Sequence, residues 1–404
     1  MGIIFSSFNG LEPFPKLRFL EFKNTYKKIK LNKAVERIQR KDPTSEAPVM
    51  MLSAASGFIM QSEKYSRENA GQSLKKYILL KKGELAYNHG ASKYKPFGCC
   101  FELKEEEARI PYVYHCFAVK ENNDKSYIAR LLNNQKIDQQ LKRLISSSVR
   151  MDGLLNISYE EYTGIDLYLP SLPEQQKIAD FLSLVDQRIE KQRQLVESLK
   201  KYKRGLVFHL FNKNNPINKS IPMRDLLTEI NDRNSVGLRV CSVAVIKGIV
   251  DQIEHLGRSF SASDTSKYRR VHFGDVVYTK SPTGDFPFGI VKQSKIKEDV
   301  AVSPLYGVYK PSSYSTGNLL HLYFEQYQYA NNYIRSLAQK GAKNTINITT
   351  QHFLEKNIIF PYNEVDRVYF SNFFEKLNKL IKFNEGELEK AQSLKKGLLQ
   401  QMFI

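Results

Sequence analysis

The sequence predicts an α+β chain made of two tandem copies of one plan. Each copy is a mixed α/β globule followed by one long helix, and the two helices pair as an antiparallel coiled coil with pseudo-twofold symmetry. Three observations predict it. Short motifs recur at a nearly constant offset, each copy ends in a proline-punctuated amphipathic segment, and apolar residues there recur in steps of three and four.

The repeat comes first because it organises everything else. Gly57 and Gln61 of "SGFIMQS" return as Gly248 and Gln252 of "KGIVDQI", an offset of 191 (248 − 57). "KYILLKKGELAY" (Lys76–Tyr87) returns as "KYRRVHFGDVVY" (Lys267–Tyr278) at the same 191. "PFG" at Pro96–Gly98 and Pro287–Gly289, "LNIS" at Leu155–Ser158 and "INIT" at Ile346–Thr349, and Pro170 and Pro361 all keep it. Past those prolines the offset is 192, as for Phe181 and Phe373 or Phe211 and Phe403, so one small gap separates the copies. The predicted segments are 1–168, 169–212, 213–359 and 360–404.

Within each globule, "KYILLKKGELAYNH" and "KYRRVHFGDVVYTK" read as strand, turn, strand, a hairpin with Gly83 or Gly274 at its turn. "AVSPLYGVYK" (Ala301–Lys310) is a further β-rich stretch. "YIARLLNNQKIDQQLKRLI" (Tyr127–Ile145) and "YFEQYQYANNYIRSLAQ" (Tyr323–Gln339) read as helices.

The long helices have clear starts. Pro173 suits an opening turn because it lacks only a donor that is unpaired there. Acidic residues early and "LKKYKR" (Leu199–Arg204) late match the helix dipole. From Glu174 to Phe211 the helix spans roughly 57 Å. Its seam runs Leu182, Val185, Ile189, Gln192, Val196, Leu199, Lys203, Leu206, Leu210. The second seam runs Phe374, Leu377, Ile381, Asn384, Leu388, Ala391, Lys395, Leu398, Met402. The polar interruptions coincide, Gln192 with Asn384 and Lys203 with Lys395, as in a pairing that fixes register at some cost in stability.

Composition bounds the partners. A net charge of +19 with 42% hydrophobic residues describes a globular chain that meets a polyanion, nucleic acid first. No apolar run reaches membrane-spanning length, and "MGIIFSSFNG" lacks the basic start of a signal peptide, although Gly2 and Ser6 fit the loose myristoylation pattern. The four cysteines, Cys99, Cys100, Cys116 and Cys241, read as reduced, buried thiols of a cytoplasmic protein.

The chain carries no catalytic signature. It has no Pro-Pro for a flipped-base clamp and no Gly-x-x-x-x-Gly-Lys phosphate loop. Glu102-x-Lys104 has the form of a nuclease metal triplet, without a partner aspartate in place. The seven histidines, His89 among them, show no ligand spacing. No catalytic residue, metal ligand or cofactor of its own is predicted.

Nucleic acid is read by polar side chains at base edges and held by cations on phosphates. After each strand-turn-strand comes a polar loop, "NHGASKYK" (Asn88–Lys95) and "TKSPTGD" (Thr279–Asp285), equivalent in place and different in sequence. A second pair, "SSSVRMDG" (Ser146–Gly153) and "AQKGAKNT" (Ala338–Thr345), precedes "LNIS" and "INIT". The candidate contacts are Asn88, Ser92, Lys93, Lys95 and Arg150 in the first copy, and Thr279, Lys280, Ser281, Thr283, Lys340, Lys343 and Asn344 in the second.

"LPSLPEQQKIADFLSLVDQRIEKQRQLVESLKKYKRGLVFHLF" (Leu169–Phe211) resembles the central conserved region of type I restriction–modification specificity subunits. Pro170, Pro173, Glu174, Gln175, Ile178, Ala179 and Leu182 carry the likeness, with "PKLRFLEF" (Pro15–Phe22) similar to the leading segment of some members. The second copy departs, since "PYNEVDRVYFSNFF" lacks the Glu-Gln pair. The resemblance implies two target-recognition domains that each read half of a bipartite site in double-stranded DNA. It also implies helices that space them and dock two methyltransferase subunits, with Pro173, Glu174, Gln175 and Ile178 as partner-binding residues. Restriction–translocase subunits complete such complexes, and S-adenosylmethionine, ATP and Mg belong to those partners. An unrecognised enzyme acting on DNA and a basic interaction scaffold are the competing readings.

Overall fold

A computed structural model describes residues 3–5, 14–64, 71–90, 92, 95–144, 155–257, 264–337, 339–340 and 346–404. The chain divides into two units, Met1–Gln192 with Glu387–Ile404, and Arg193–Gly386.

The first unit is built on a four-stranded antiparallel sheet in the order Val35–Arg37, His115–Val119, Leu85–Asn88, Cys99–Glu102. Its register pairs Tyr87 with His115 on one side and with Cys100 on the other. Strand pairs Met50–Ser53 with Gly57–Met60, and Ile78–Lys81 with Glu107–Ile110, flank it. Short helices Lys125–Leu131, Gln135–Leu144 and Tyr159–Thr163 cover it. One apolar core holds Phe117, Tyr127, Ile128, Leu141 and Tyr162 with Ile178, Ala179 and Leu182 of the first long helix, and with Leu398, Met402 and Phe403 from the chain end.

The second unit repeats this plan. Its sheet runs Leu227–Glu229, Gly307–Pro311, Val276–Tyr278, Val291–Gln293, the same strands in the same order one repeat later. Its core joins Tyr278, Tyr309, Leu320, Phe324 and Phe353 to Val207, Leu210 and Phe211 from the first long helix, and to Phe374, Leu377 and Ile381 from the second.

Those helices are Leu172–Leu210, 39 residues, and Glu364–Gln401, 38 residues. Within each unit their segments run antiparallel. In the first, Asp186 meets Lys395 at 2.6 Å while lower numbers on one helix share a core with higher numbers on the other. In the second, Lys200 meets Glu385 at 2.6 Å. Leu182, Ile189, Val196, Phe374, Leu377, Ile381 and Asn384 are buried; Val185, Gln192, Leu199 and Leu388 are half-buried. Leu184, Leu195, Leu380 and Phe383, off the seam, are exposed. Lys203 and Lys395 leave the apolar stripe for ion pairs: Lys203 with Glu325 at 3.0 Å, and Lys395 with Asp186, which Arg130 also meets at 2.8 Å.

Two expectations are corrected. The strands around Gly83 and Gly274 do not form hairpins. Ile78–Lys81 pairs with Glu107–Ile110, whereas Leu85–Asn88 joins the four-stranded sheet, and Arg269–Val271 and Val276–Tyr278 diverge likewise. The turn is tied elsewhere: Gly83 N–H donates to Leu103 O and Gly274 N–H to Ser294 O. Both strands are buried without alternation, so their residues face apolar neighbours on each side. The two predicted helices are each broken, at Leu132–Asn134 and at Gln326, whose ψ of 114° is extended.

All four cysteines are free and buried. Among the described residues no helix is long and apolar enough to cross a membrane. Gly2 and Ser6 lie outside the described residues.

Candidate nucleic-acid interface

The two polar loops after Leu85–Asn88 and Val276–Tyr278 are closed by the same device. Tyr87 Oη donates to Phe97 O at 2.6 Å, and Tyr278 Oη donates to Phe288 O at 2.8 Å. Both partners precede the glycine of the repeated Pro-Phe-Gly. Gly98 and Gly289 have φ of 81° and 87°. A Cβ on Gly98 would stand 2.5 Å from Asn88 O; one on Gly289 would stand 3.0 Å from Thr279 Oγ1 and 3.1 Å from the amides of Lys280 and Ser281. The glycine therefore lets the returning chain pass against the loop's root. The motif is visible in the sequence, but its role in closing a loop is not.

Several predicted contact residues serve the loop itself. Asn88 accepts from Gly90 N–H at 2.9 Å and donates to Leu52 O at 3.4 Å. Lys95 donates from its ammonium to Asn133 O at 2.9 Å. Thr279 is buried, and its Oγ1 accepts from Ile290 N–H at 3.1 Å. The side chains of these three make bonds within the domain. Ser92 Oγ accepts from Lys95 N–H at 3.1 Å and shapes the turn.

The second loop keeps more at its surface. Thr283 and Phe286 exchange both backbone hydrogen bonds at 3.0 Å, forming a tight tip. Ser281 and Asp285 are exposed, and Lys280 and Thr283 half-buried. Lys280 is the one non-glycine residue with positive φ, 55°, among the described residues. Such strain is held only where surrounding structure imposes it. Burial pushes its ammonium down, with Arg269 acting in the same direction and Glu229 opposing.

Lys93, Arg150, Lys343 and Asn344 lie outside the described residues. Lys340 belongs to the strand Gln339–Lys340, paired with Ile346–Asn347.

The predicted partner-binding residues lie at the start of the first long helix. Glu174 is 1% exposed and takes both arms of Arg18, at 2.7 and 2.8 Å, and the hydroxyl of Tyr26 at 3.1 Å. Gln175 accepts from Asp124 N–H and donates to Pro170 O, both at 3.0 Å. Ile178 lies in the core. Of the four, Glu174, Gln175 and Ile178 are buried and Pro173 is exposed.

Among the described residues no group of three or more His, Cys, Asp or Glu is placed to hold a metal ion. The crevice containing Glu102 and Lys104 is about 410 Å³ and is crossed by ion pairs, Glu102 with Lys104 at 2.6 Å and Arg130 with Asp186.

Residues 61–201 match the family described as "Type I restriction modification DNA specificity domain". Among solved structures, the type I restriction–modification system S subunit from M. genitalium is similar over 97% of this chain and 99% of its own, at 11% identity and a TM-score of 0.58. A structure described as the basis of complex assembly and conformational transition of the type I R-M system is similar over 95% and 98%, at 12% identity and a TM-score of 0.51. Among curated proteins none matches the chain. At these identities the structural likeness is one of fold.

Proposed function

We propose that this chain, whose residues 61–201 carry a type I restriction modification DNA specificity domain, is the DNA specificity subunit of a type I restriction–modification system. Residues 1–168 and 213–359 are its two recognition domains, each reading half of a bipartite site; 169–212 and 360–404 are the helices that space them and dock two methyltransferase subunits. The observation that carries this reading is the pair of loops closed identically by Tyr87 and Tyr278 yet filled with different residues. Two readers on one scaffold with different tips suit two different half-sites. The basic charge supplies phosphate attraction. Lys280, Ser281 and Thr283 are the proposed contacts of the second domain, with Lys93 and Arg150 in the first and Lys340, Lys343 and Asn344 alongside.

The chain works without catalysis or a cofactor of its own. S-adenosylmethionine serves the methyltransferase subunits; ATP and Mg serve restriction–translocase subunits where these join, in the cytoplasm. Co-expression with a methyltransferase subunit and mapping of methylated positions tests the proposal. A two-part motif with a fixed gap is expected. Methylation without such a motif, or nuclease or methyltransferase activity from the purified chain alone, overturns it.

A further inference from the structure

The hairpin of Cys241–Ala244 and Gly248–Asp251 carries at its apex a side chain that the fold does not use. Ala244 pairs with Gly248, so Val245, Ile246 and Lys247 form the turn, and Gly248, with φ of 73°, returns the chain. Ile246 is 93% exposed, and Lys247 beside it is exposed. Turn apices favour Gly, Pro, Asn, Asp and Ser, each for a backbone reason that a β-branched residue does not share. At that exposure the isoleucine adds nothing to the core either. A lone apolar residue is ordinary on a protein surface. Its place sets this one apart.

The apex stands beside the polar loop Thr279–Asp285. A Cβ on Gly284 would lie 3.5 Å from Val245 Cγ2. Behind the two, Val245 and Phe286 pack on one apolar core with Val243, Ile249 and Ile290, so turn and loop share a support. The first copy has the same arrangement with other contents. Ser53 pairs with Gly57, also at φ of 73°, and the turn is Ala54, Ala55 and Ser56. The 191-residue offset places Ala55 at the position of Ile246 and Ser56 at that of Lys247. Ala54 and Ala55 line a crevice together with Lys95 of the first polar loop, and Asn88 donates to Leu52 O of that hairpin at 3.4 Å. In both domains the hairpin turn abuts the loop; the backbone is repeated and the apex side chains change.

We propose, resting on the functional reading above, that the turn Val245–Lys247 belongs to the DNA-reading surface of the second domain, with Ile246 against a thymine 5-methyl group in the major groove and Lys247 on a neighbouring phosphate. A two-stranded β-ribbon fits the major groove, and the thymine methyl is the apolar group that a base edge presents there. Isoleucine offers no hydrogen bond, so that methyl is the feature it discriminates. The ammonium holds the ribbon against the backbone without reading sequence. Ser56 has no charge for a phosphate and Ala55 stops at one methyl, so the first half-site is read differently at this place.

The test uses the full chain co-expressed with a methyltransferase subunit, and a randomised duplex library from which bound sequences are selected. The selected second half is expected to contain a thymine whose exchange for deoxyuridine, which removes only the methyl group, weakens binding about fourfold, the worth of one buried methyl. Ile246→Ala, which copies Ala55, is expected to bind the thymine and uracil duplexes alike, to keep the first half, and to unfold as the wild type does. Lys247→Ala is expected to reduce the slope of log K against log salt by about 0.9, the share of one phosphate. Binding that ignores every thymine-to-uracil exchange in the second half, or an Ile246→Ala variant that keeps the full uracil penalty, overturns the contact of Ile246. An unchanged salt slope overturns that of Lys247. These results leave two-part selection in place. Absence of any two-part selection by the wild-type complex overturns the functional reading and the role of the turn with it.

Discussion

Gln175 and Arg367 stand 192 residues apart and perform the same task. Gln175 Nε2 donates to Pro170 O at 3.0 Å, and Arg367 Nε donates to Pro361 O at 2.8 Å. Each closes the corner where a strand hands over to a long helix. The Glu-Gln pair missing from the second copy is thus replaced by different chemistry at the same carbonyl. Arg367 extends it, reaching Tyr362 O at 3.0 Å and lying over Phe360 at 5.5 Å.

Arg367→Ala is therefore expected to destabilise the chain by about 1–3 kcal/mol, because buried acceptors lose their donor. Arg367→Gln recovers part of that loss, since glutamine does this work in the other copy. Denaturant unfolding of the full chain measures both. Equal losses for the two variants would show that the side chain matters by its charge or bulk, and not by its bond to Pro361.

Beside Gln175, Arg18 and Glu174 form a buried ion pair. Removing one partner of such a pair leaves the other charged in the core, which costs about 3–5 kcal/mol. Arg18→Ala and Glu174→Ala should each reach that range, and the double variant should lose less than their sum. Additive losses in a double-mutant cycle would show that the two do not interact energetically.

Glu325 gathers Lys203 at 3.0 Å, Lys292 at 3.6 Å and His321 at 3.5 Å. Burial pushes the Glu325 carboxyl up, but the His321 bond and the two ammonium groups outweigh it and hold it well below the usual carboxylate range. Burial also pushes His321 down, and its Nδ1 accepts from Gln293 N–H at 3.1 Å, so Nε2 carries the proton toward Glu325. A carboxyl lowered by folding contributes stability that is present above its unfolded pKa and fades as pH falls toward its folded one. A histidine lowered by folding acts in the same sense through the range between its own two values. Stability should therefore fall on acidification, and Glu325→Gln should be less stable at neutral pH with a shallower acid limb. Unfolding free energies between pH 7 and pH 3 decide it; parallel curves for the two proteins would remove the cluster from the account.

What was legible in the sequence was what repeats along one element. The seam positions Leu182, Ile189, Phe374 and Ile381 announce their burial because a helix returns to the same face every three or four residues. Strand pairing was hidden, because Ile78–Lys81 and Leu85–Asn88 are buried on both faces and carry no alternation to show which neighbour each takes. The surroundings of the loop residues were hidden for another reason. Whether Asn88 or Lys95 faces outward depends on Leu52 and Asn133, which lie 36 and 38 residues away in the chain. Glu174 and Gln175 look like a surface motif because they are polar at a helix start; their partners Arg18 and Asp124 come from distant segments.

The seam offers a direct contrast. Ile189 is buried, whereas Leu184, five residues earlier on the same helix, is 62% exposed. Ile189→Ala should cost about 2–5 kcal/mol through lost burial and the cavity left behind. Leu184→Ala should stay within about 0.5 kcal/mol. Thermal or denaturant unfolding compares them, and a similar cost at both positions would contradict the packing face described here.

Gly289→Ala separates recognition from folding. Its added methyl meets Thr279 Oγ1 at 3.0 Å and the amides of Lys280 and Ser281 at 3.1 Å, on a backbone with φ of 87°. Backbone amides cannot swing aside as a side-chain end can, so the loop root must shift. The strain is about 1–3 kcal/mol and falls at the buried loop root, between Phe288 and Ile290. Tyr278→Phe removes the other closure, the bond to Phe288 O, at about 0.5–1.5 kcal/mol. If the chain reads a two-part site as proposed, both variants should stay folded and keep the first half of the selected sequence, while losing discrimination in the second. The equivalent changes Gly98→Ala and Tyr87→Phe should reverse that pattern. Selection from a randomised duplex library reads all four. If each variant weakened both halves alike, the loops would be supporting the fold and not reading separate halves of the site.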